Sequence, residues 1–218
     1  MLEWLNKVEG SFYKAFLAED RWKLYFAGLG VTLKVAFFAA ILGLVIGTVI
    51  ALMKLSTGKK GKGTIWSFIA NCYIDVIRGT PSVLQLLIMW FIIMKSCKNG
   101  VLVAVLSFGI NSGAYVAEIV RAGILAVDKG QTEAGRSLGL SKAQTMIGNE
   151  FIVLLKETAI VGYVSLTDLT RAANQISSRT YEAFMPLIGA AVIYFVIIKI
   201  LTILLGVLER RLRKSDNR

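Results

Sequence analysis

Five long apolar runs, separated by shorter polar stretches, make up most of the sequence. A helix needs about 20 mostly apolar residues to cross the hydrocarbon core of a bilayer, and each run supplies about that many. The runs cover residues 25–55, 65–94, 101–127, 147–166 and 186–208. This pattern predicts an all-α integral membrane protein with about five transmembrane helices, which form a single transmembrane domain over residues 1–218.

A proline interrupts the second run. Pro81 stands in the stretch VIRGTPSVLQL, residues 76–86, and it lacks a backbone N–H, so we expect the helix to bend or break there. The apolar stretch after Pro81 is too short to cross the bilayer alone, so the preceding helix must contribute to the same span. Asp75 and Arg78 are three residues apart and can pair on one helix face. We interpret Arg78 as a structural anchor near the bend.

The composition supports a membrane protein and excludes several other classes. Of the 218 residues, 56% are hydrophobic and 18% are charged, which is more apolar surface than a soluble domain of this size can bury. The net charge is +11, but no basic helix has interleaved aromatic residues, so we expect no nucleic-acid partner. The chain has no histidine and only two cysteines, and we therefore predict no catalytic residue and no metal site.

Lysines and arginines are concentrated in alternate loops. The loop 56–64 has three lysines and no acidic residue, and the tail from residue 209 has five basic residues against two acidic ones. Such an excess marks the cytoplasmic side, so we predict that the N-terminus lies outside and that the C-terminus is cytoplasmic. The polar loop 128–146 then lies on the cytoplasmic side, and its residues from Glu133 to Leu138, with glycines at 135 and 139, can form one short helix parallel to the membrane. Residues 1–23 are predicted to form an amphipathic helix at the membrane surface.

Polar side chains inside the apolar runs are the candidates for a solute path. Asn111, Tyr115 and Glu118 follow one another at intervals of four and three residues, so they form one helical stripe. Two roles remain open for this stripe. The residues line the path, or they hold helices together by hydrogen bonds, with Glu118 paired to Arg121.

Glu157 and Thr158 interrupt the fourth run and are further candidates for the path. Lys156 precedes Glu157, but adjacent residues on a helix point apart, so at least one of the two charges needs another partner. Ionisable groups at membrane depth are functional candidates by default. A simple neutralising pair is the alternative.

Two other features predict packing and capping. Gly43 and Gly47 are four residues apart, a spacing that favours close approach of two membrane helices. Asp168 follows the fourth run and is expected to be a loop or helix-cap residue.

The polar loop contains the motif EAGRSLGLS, residues 133–141. It resembles the EAA loop of permease subunits of binding-protein-dependent ATP-binding cassette (ABC) importers, whose pattern is E-A-A, three residues, then G. Glu133, Ala134 and Gly139 match this pattern, and Gly135 replaces the second alanine. Four further stretches resemble the polar amino acid branch of the family (histidine/glutamine/arginine-type permeases), in the same order: GLGVTLKVA (28–36), VIRGTPSVLQL (76–86), NSGAYVAEIVRAGI (111–124) and LLKETAIVGYVSLTDLTRAANQI (154–176).

The resemblance implies a transport subunit of the bacterial plasma (inner) membrane that is not itself an enzyme. Glu133, Ala134, Gly135 and Gly139 would contact a separate ABC ATPase subunit, which binds ATP and Mg, so this chain needs no cofactor. A second permease subunit (the same or homologous), an extracytoplasmic amino-acid-binding protein and membrane lipid are the other implied partners. The expected function is ATP-driven import of an amino acid. A secondary, ion-coupled transporter and a non-transporting membrane scaffold are the alternatives, and the polar loop would then be a solvated connector.

One part of the family pattern is absent. After the glycine of the motif, the pattern continues for nine residues to I-x-L-P. In this chain Asn149 stands at the isoleucine position, and Phe151 and Ile152 stand where Leu and Pro are expected. A helix-length piece is therefore missing between Met146 and Ile147. Either the chain has a deletion, or the numbering closes over unresolved residues. The second possibility is favoured, because without the piece the coupling segment would be pulled against the fourth span. It predicts Cα atoms much farther apart than the ~3.8 Å of a trans peptide.

Overall fold

The computed structural model describes the backbone of residues 2–56, 63–125 and 134–216. Eight α-helices occupy most of this part of the chain. They are α1 (Leu2–Phe12), α2 (Trp22–Leu55), α3 (Ile65–Arg78), α4 (Ser82–Ile88), α5 (Gly100–Leu125), α6 (Ala134–Glu157), α7 (Leu169–Thr180) and α8 (Phe184–Asp216). The prediction of an all-α membrane fold is confirmed.

Three helices in the described ranges are long and apolar enough to cross a membrane, namely Trp22–Leu55, Gly100–Leu125 and Phe184–Leu208. The pair Ile65–Arg78 and Ser82–Ile93 meets the same criteria as one broken span. The fourth apolar run, residues 147–166, is divided between the end of α6 and a 3₁₀ segment, Thr158–Val164, and it does not meet them. The total of five spans and their orientation remain predictions.

The helices α2 and α5 pack closely because small residues face each other. A Cβ atom added to Gly47 would lie 2.6 Å from Cβ of Val116, and one added to Gly43 would lie 2.9 Å from Cβ of Ser112. Gly109 of α5 is covered in turn by a leucine of α2, 2.6 Å from the position of its missing Cβ. Real side-chain atoms do not approach so closely, so only glycine fits. The close helix packing predicted from Gly43 and Gly47 is confirmed.

Two apolar clusters surround this helix pair. One joins α2, α4, α5, the end of α6 and the 3₁₀ segment, and its buried members are Val35, Ala39, Leu86, Ala104, Phe108, Leu154, Val161 and Val164. The other lies where α7 and α8 pack on the first turns of α2, and its buried members are Tyr25, Leu29, Leu169, Ala173, Ile176 and Ala190. The broken span and α7 are therefore both held against the same central helix.

The segment predicted as one amphipathic helix, residues 1–23, consists of α1, a π-helical turn (Tyr13–Leu17) and a 3₁₀ turn (Ala18–Asp20) before α2 begins. Phe16 stacks on Tyr25, with ring centroids 5.0 Å apart, and the hydroxyl of Tyr25 donates to the carbonyl of Pro186, 3.3 Å away. Arg21, which is buried, donates to the carbonyl of Lys14 at 2.6 Å. These contacts tie the N-terminal segment to α8. Its location at the membrane surface remains a prediction.

Asp168 is the N-cap of α7, as the sequence predicts. Its carboxylate accepts hydrogen bonds from the backbone N–H groups of Thr170 and Arg171, both at 3.0 Å, which satisfies two of the free donors of the first turn. The backbone at Asp168 lies close to Gly28 of α2, where an added Cβ would be 2.6 Å from the Asp168 carbonyl oxygen. This contact sets the position of α7 on α2.

The helix α6 corrects one expectation. The large separation of Met146 and Ile147 that the favoured account predicts is not present, because α6 runs without interruption from Ala134 to Glu157. A short helix is expected within the loop 128–146, and residues 134–146 are helical, but this helix does not end inside the loop and continues to Glu157. The physical reason lies in the residues at the junction. The proline of the family pattern is absent there, and Ile152 takes its position, so nothing removes a backbone donor and the helix continues.

Candidate functional site

The break in the second span is the centre of the candidate site. The axes of α3 and α4 differ in direction by 103°, and the three residues between them are Gly79, Thr80 and Pro81. Pro81 cannot donate to the preceding turn. A Cβ on Gly79 would lie 2.6 Å from the carbonyl oxygen of Asp75, so glycine permits the tight end of α3. The predicted bend at Pro81 is confirmed.

Gln85 holds the broken backbone together. Its side-chain amide donates to the carbonyl oxygens of Ile77 and Thr80, at 2.7 and 3.1 Å, and to the hydroxyl of Thr80 at 2.7 Å. Its own oxygen accepts a hydrogen bond from the side-chain nitrogen of Asn111, at 2.9 Å. Carbonyls freed by a break in a membrane helix are costly unless they find such partners. Asn111, which is buried, therefore links the break to α5.

The predicted spans, together with helix geometry, predict that this network lies near the middle of the membrane. Arg78 follows Ile65 by 13 residues, or ~20 Å along α3 at the helical rise. Asn111 follows Gly100 by 11 residues, or ~16 Å along α5. The hydrocarbon core is ~30 Å thick, so the break lies well away from both surfaces if the two helices cross it as predicted. Irregular backbone at such depth occurs where it is buried in protein or lines a water-filled cavity.

Tyr115 lies one turn below Asn111 on α5 and contacts the end of α3. The guanidinium carbon of Arg78 is 5.2 Å from the centroid of the Tyr115 ring, within the range of a cation–π interaction. The predicted pair between Asp75 and Arg78 is not present among the described residues, since no ion pair joins them. Arg78 is directed to α5 instead.

Glu118, the third residue of the stripe, is held by two cations. Its carboxylate lies 2.5 Å from Nζ of Lys54, in the last turn of α2, and 3.2 Å from Nη2 of Arg121. The pairing with Arg121 is the alternative to a role in the path, and it is present. The three members of the stripe therefore contact three different helices. Lys54 could not be identified from the sequence, because 64 residues separate it from Glu118.

The structure places Glu157 and Thr158 at the end of α6. Thr158 is fully buried, and its hydroxyl donates to the carbonyl of Leu155 at 2.8 Å, so this side chain closes the helix. Lys156 is exposed while Glu157 is partly buried, in agreement with side chains that point apart. Within the described ranges no hydrogen bond or ion pair is found for Glu157, which remains a candidate for the path.

Ser112 and Glu150 form a contact that the sequence did not reveal. The hydroxyl of Ser112, which is fully buried in α5, donates to the carboxylate of Glu150 in α6, at 2.9 Å. The two residues are 38 positions apart, and the only signal in the sequence is the position of Ser112 beside Asn111. This hydrogen bond connects α6 to the same helix that holds the break.

A separate cavity of about 750 Å³ lies between the 3₁₀ segment and α7. Its lining is polar on the α7 side and includes the side chains of Arg171, Asn174, Gln175 and Arg179. Arg171 also donates to the carbonyl of Gly162. In the predicted orientation this cavity is on the outer side of the membrane. Glu157 and Thr158 precede its first lining residues but are not part of the lining.

The predicted ATPase-coupling residues fall at the start of α6. Glu133 lies outside the described residues. Ala134, Gly135 and Gly139 belong to the first turns of α6. The motif is thus part of a helix that continues directly into the residues around Glu150.

The long apolar helices, the broken span and its polar network define a helical membrane permease. Residues 43–150 match the family described as the inner membrane component of binding-protein-dependent transport systems, and the chain belongs to this family. The resemblance identified in the sequence is confirmed, as is the prediction of a multi-pass protein of the inner (plasma) membrane.

Several relatives align over most of the chain. The arginine transport system permease protein ArtQ of Bacillus subtilis (strain 168) is 41% identical over 207 residues, which cover 87% of this chain and 92% of that protein. The glutamine transport system permease protein GlnP of Escherichia coli (strain K12) is 33% identical over 199 residues, with coverages of 83% and 90%.

Solved structures give the same result. A crystal structure of an amino acid ABC transporter with histidines has a TM-score of 0.76 and 43% identity, and the match covers 87% of this chain and 94% of that one. The MetNI methionine ABC transporter, in an inward facing conformation, has a TM-score of 0.75 at 15% identity, with coverages of 89% and 99%. At that identity the second match shows a common fold alone.

Proposed function

We propose that this chain is the permease subunit of an ATP-driven amino acid importer. The arginine and glutamine transport permeases named above align with more than four fifths of it, which supports an amino acid as the solute. The single observation that carries the proposal is the broken span, whose free backbone groups are held by Gln85, itself bonded to Asn111. Discontinuous helices of this kind form solute sites in transporters.

Other chains supply the energy and the solute. The sequence contains no G-x-x-x-x-G-K-[ST] phosphate loop, so ATP and Mg bind to a separate ABC ATPase subunit. A second permease subunit, the same or homologous, completes the path, and an extracytoplasmic binding protein delivers the amino acid. Membrane lipid covers the outer faces of the bundle, where large apolar side chains of α2 and α8 are exposed.

The ATPase subunit docks on the cytoplasmic motif, at Glu133, Ala134, Gly135 and Gly139. The small residues leave room for close approach, and Glu133 supplies a charge. Since α6 extends without a break from this motif to Glu150, a displacement of the motif moves the whole helix. The hydrogen bond from Ser112 to Glu150 then transmits that displacement to α5 and to the break.

Uptake by reconstituted protein tests this function. The chain is co-expressed with its ATPase and binding protein, and uptake of tritiated L-arginine and L-glutamine into proteoliposomes is measured with and without ATP. We expect uptake of at least one of them that requires ATP. Uptake that follows an imposed ion gradient without ATP would establish a secondary transporter, and no uptake together with no bound ATPase would indicate a scaffold.

Two variants separate docking from membrane insertion. Gly139→Trp fills the space that the partner needs, so less ATPase should co-purify while the amount of permease in the membrane is unchanged. Gly206→Trp, in α8, is the matched control, because a Cβ at Gly206 meets no atom within 4 Å. Equal recovery of the ATPase with both variants would show that the motif is only a connector.

A further inference from the structure

Arg78 is a cation at the break that has no anionic partner in the described part of the chain. It is the last residue of α3, and it forms no ion pair or hydrogen bond with any described residue, Asp75 included. Its guanidinium group lies over the ring of Tyr115, 5.2 Å from the centroid. Both side chains are exposed on the surface of this single chain, so the group is accessible from outside the bundle.

A charge at this depth requires compensation. The electron-rich face of Tyr115 and the negative end of the α3 dipole provide part of it. Neither is a full negative charge, and ionisable groups within a membrane normally pair with an opposite charge or a water-filled cavity. The unoccupied donors of the guanidinium lie in one plane, in the geometry that a carboxylate accepts as two parallel hydrogen bonds.

The polar groups beside Arg78 are held by the protein. The hydroxyl of Thr80 donates to the carbonyl of Val76 at 2.9 Å and accepts from the amide of Gln85, whose oxygen accepts from Asn111. The guanidinium of Arg78 is therefore the polar group at the break, among the described residues, whose donors remain available to a solute. Arginines also line the outer cavity, but one of them, Arg171, already donates to the backbone carbonyl of Gly162. Arg78 is therefore the better candidate to bind a carboxylate.

We propose that Arg78, positioned by the ring of Tyr115, binds the carboxylate of the transported amino acid at the break between α3 and α4. This inference rests on the proposed function, since it names the group of the solute that the site recognises. It replaces the interpretation of Arg78 as a purely structural anchor. The alternative is that Arg78 pairs with the carboxylate of Asp75 from a second copy of the chain and not with that of the solute.

Competition binding to the assembled permease–ATPase complex, without the binding protein, tests the proposal. Tritiated L-arginine and L-glutamine are the probes, and each is displaced by the unlabelled amino acid or by its carboxamide, which lacks the negative charge. In the wild type the carboxamide should compete at least about tenfold more weakly, the effect of one hydrogen-bonded charge. In Arg78→Gln the two competitors should become equal, and Arg78→Lys should retain part of the difference.

Four matched variants establish whether the discrimination belongs to Arg78 and its aromatic support. Tyr115→Phe keeps the ring face and should behave as the wild type, whereas Tyr115→Leu should reduce the discrimination. Arg179→Gln removes a cation of the outer cavity and should leave the discrimination intact. Asp75→Asn should also leave the discrimination intact. A loss of discrimination in this variant would reveal that Arg78 pairs with Asp75 of a second copy of the chain. Gel filtration of each complex verifies that it assembles.

The outcomes separate this proposal from the proposed function. Three results would overturn the role of Arg78 even if ATP-driven uptake is normal. The first is full discrimination between amino acid and carboxamide in Arg78→Gln. The others are loss of this discrimination in Arg179→Gln or in Asp75→Asn. A wild-type complex that imports the probes but binds neither of them also counts against the site. A wild-type complex without ATP-dependent uptake of any probe overturns both proposals.

Discussion

Replacing Gly47 by alanine should loosen the central helix pair. The new Cβ would lie 2.6 Å from Cβ and Cγ1 of Val116 and 2.9 Å from the backbone nitrogen of Ala117. Carbon atoms in contact are normally ~3.5–4.0 Å apart, so α2 and α5 must separate by about 1 Å. Val116 cannot rotate away easily, because its branched Cβ is itself one of the clashing atoms.

The size of the effect follows from two opposing terms. Overpacking of this kind costs about 1–3 kcal/mol, and the exchange of a helical glycine for alanine returns about 0.5–1 kcal/mol. The net loss is thus about 0–2.5 kcal/mol, with a midpoint near 1 kcal/mol. In a chain of this size each kcal/mol shifts the melting temperature by about 2–4 °C, so we expect an apparent decrease of about 2–4 °C at the midpoint and at most about 10 °C.

The assay measures the fraction of detergent-purified permease that remains monodisperse in gel filtration after heating at a series of temperatures. Gly30→Ala is the control, because it lies in the same helix and its added Cβ meets no atom within 4 Å. This control should melt at the wild-type temperature or slightly above it. In a Val116→Gly background Gly47→Ala should cost less than in the wild type, since both clashing carbons of Val116 are removed and the 2.9 Å contact with the backbone nitrogen of Ala117 is the one that remains. Equal melting of the Gly47 and Gly30 variants would refute the packing argument.

Three further predictions concern the ion pairs of Glu118, the orientation of the chain in the membrane and the continuity of α6. Glu118→Gln leaves Lys54 and Arg121 without their shared anion and should lower the free energy of unfolding by about 1–3 kcal/mol. The same heating assay measures this loss, and Glu118→Asp should show a smaller one. Unchanged stability of the glutamine variant would contradict a stabilising role of the ion pairs. A cysteine at position 216, in a chain whose two native cysteines are replaced by serine, should resist a membrane-impermeant maleimide in sealed cells, and labelling would reverse the predicted orientation. Inserting a flexible Gly-Ser segment between Met146 and Ile147 should decrease ATP-dependent uptake, because it separates the motif from the part of α6 that carries Glu150; unchanged uptake would contradict transmission through a continuous helix.

Features set by a few neighbouring residues could be predicted from the sequence. Pro81 marked the break because proline acts on its own turn of helix, and Asp168 was recognised as a cap because the residues that it caps follow it directly. Gly43 and Gly47 predicted a close helix contact from their spacing alone, although the partner helix could not be named. Each of these conclusions needed only local geometry.

Contacts between distant parts of the chain could not be predicted. The pairs of Lys54 with Glu118 and of Ser112 with Glu150 join residues 64 and 38 positions apart. Their formation depends on how the helices are rotated about their axes, which a single sequence does not determine. Gln85 was overlooked for the same reason, since a glutamine in an apolar run has no evident role until the free carbonyls beside it are located.

The continuity of α6 was missed for a different reason. The family pattern ends the coupling segment in a loop, and the expectation for this chain followed that pattern. No proline stands between Ala134 and Glu157, so every residue of α6 keeps its backbone donor and the helix continues through the junction.

The broken span also constrains the order in which the nascent chain enters the membrane. The helix α3 has 14 residues, ~20 Å at the helical rise, so it is not a complete span when it leaves the ribosome. The partner that Gln85 requires, Asn111, is translated 26 residues later, and the carbonyl of Ile110 that binds the hydroxyl of Tyr73 appears at the same stage. Residues 65–125 should therefore leave the translocon for the lipid together, as one cooperative unit.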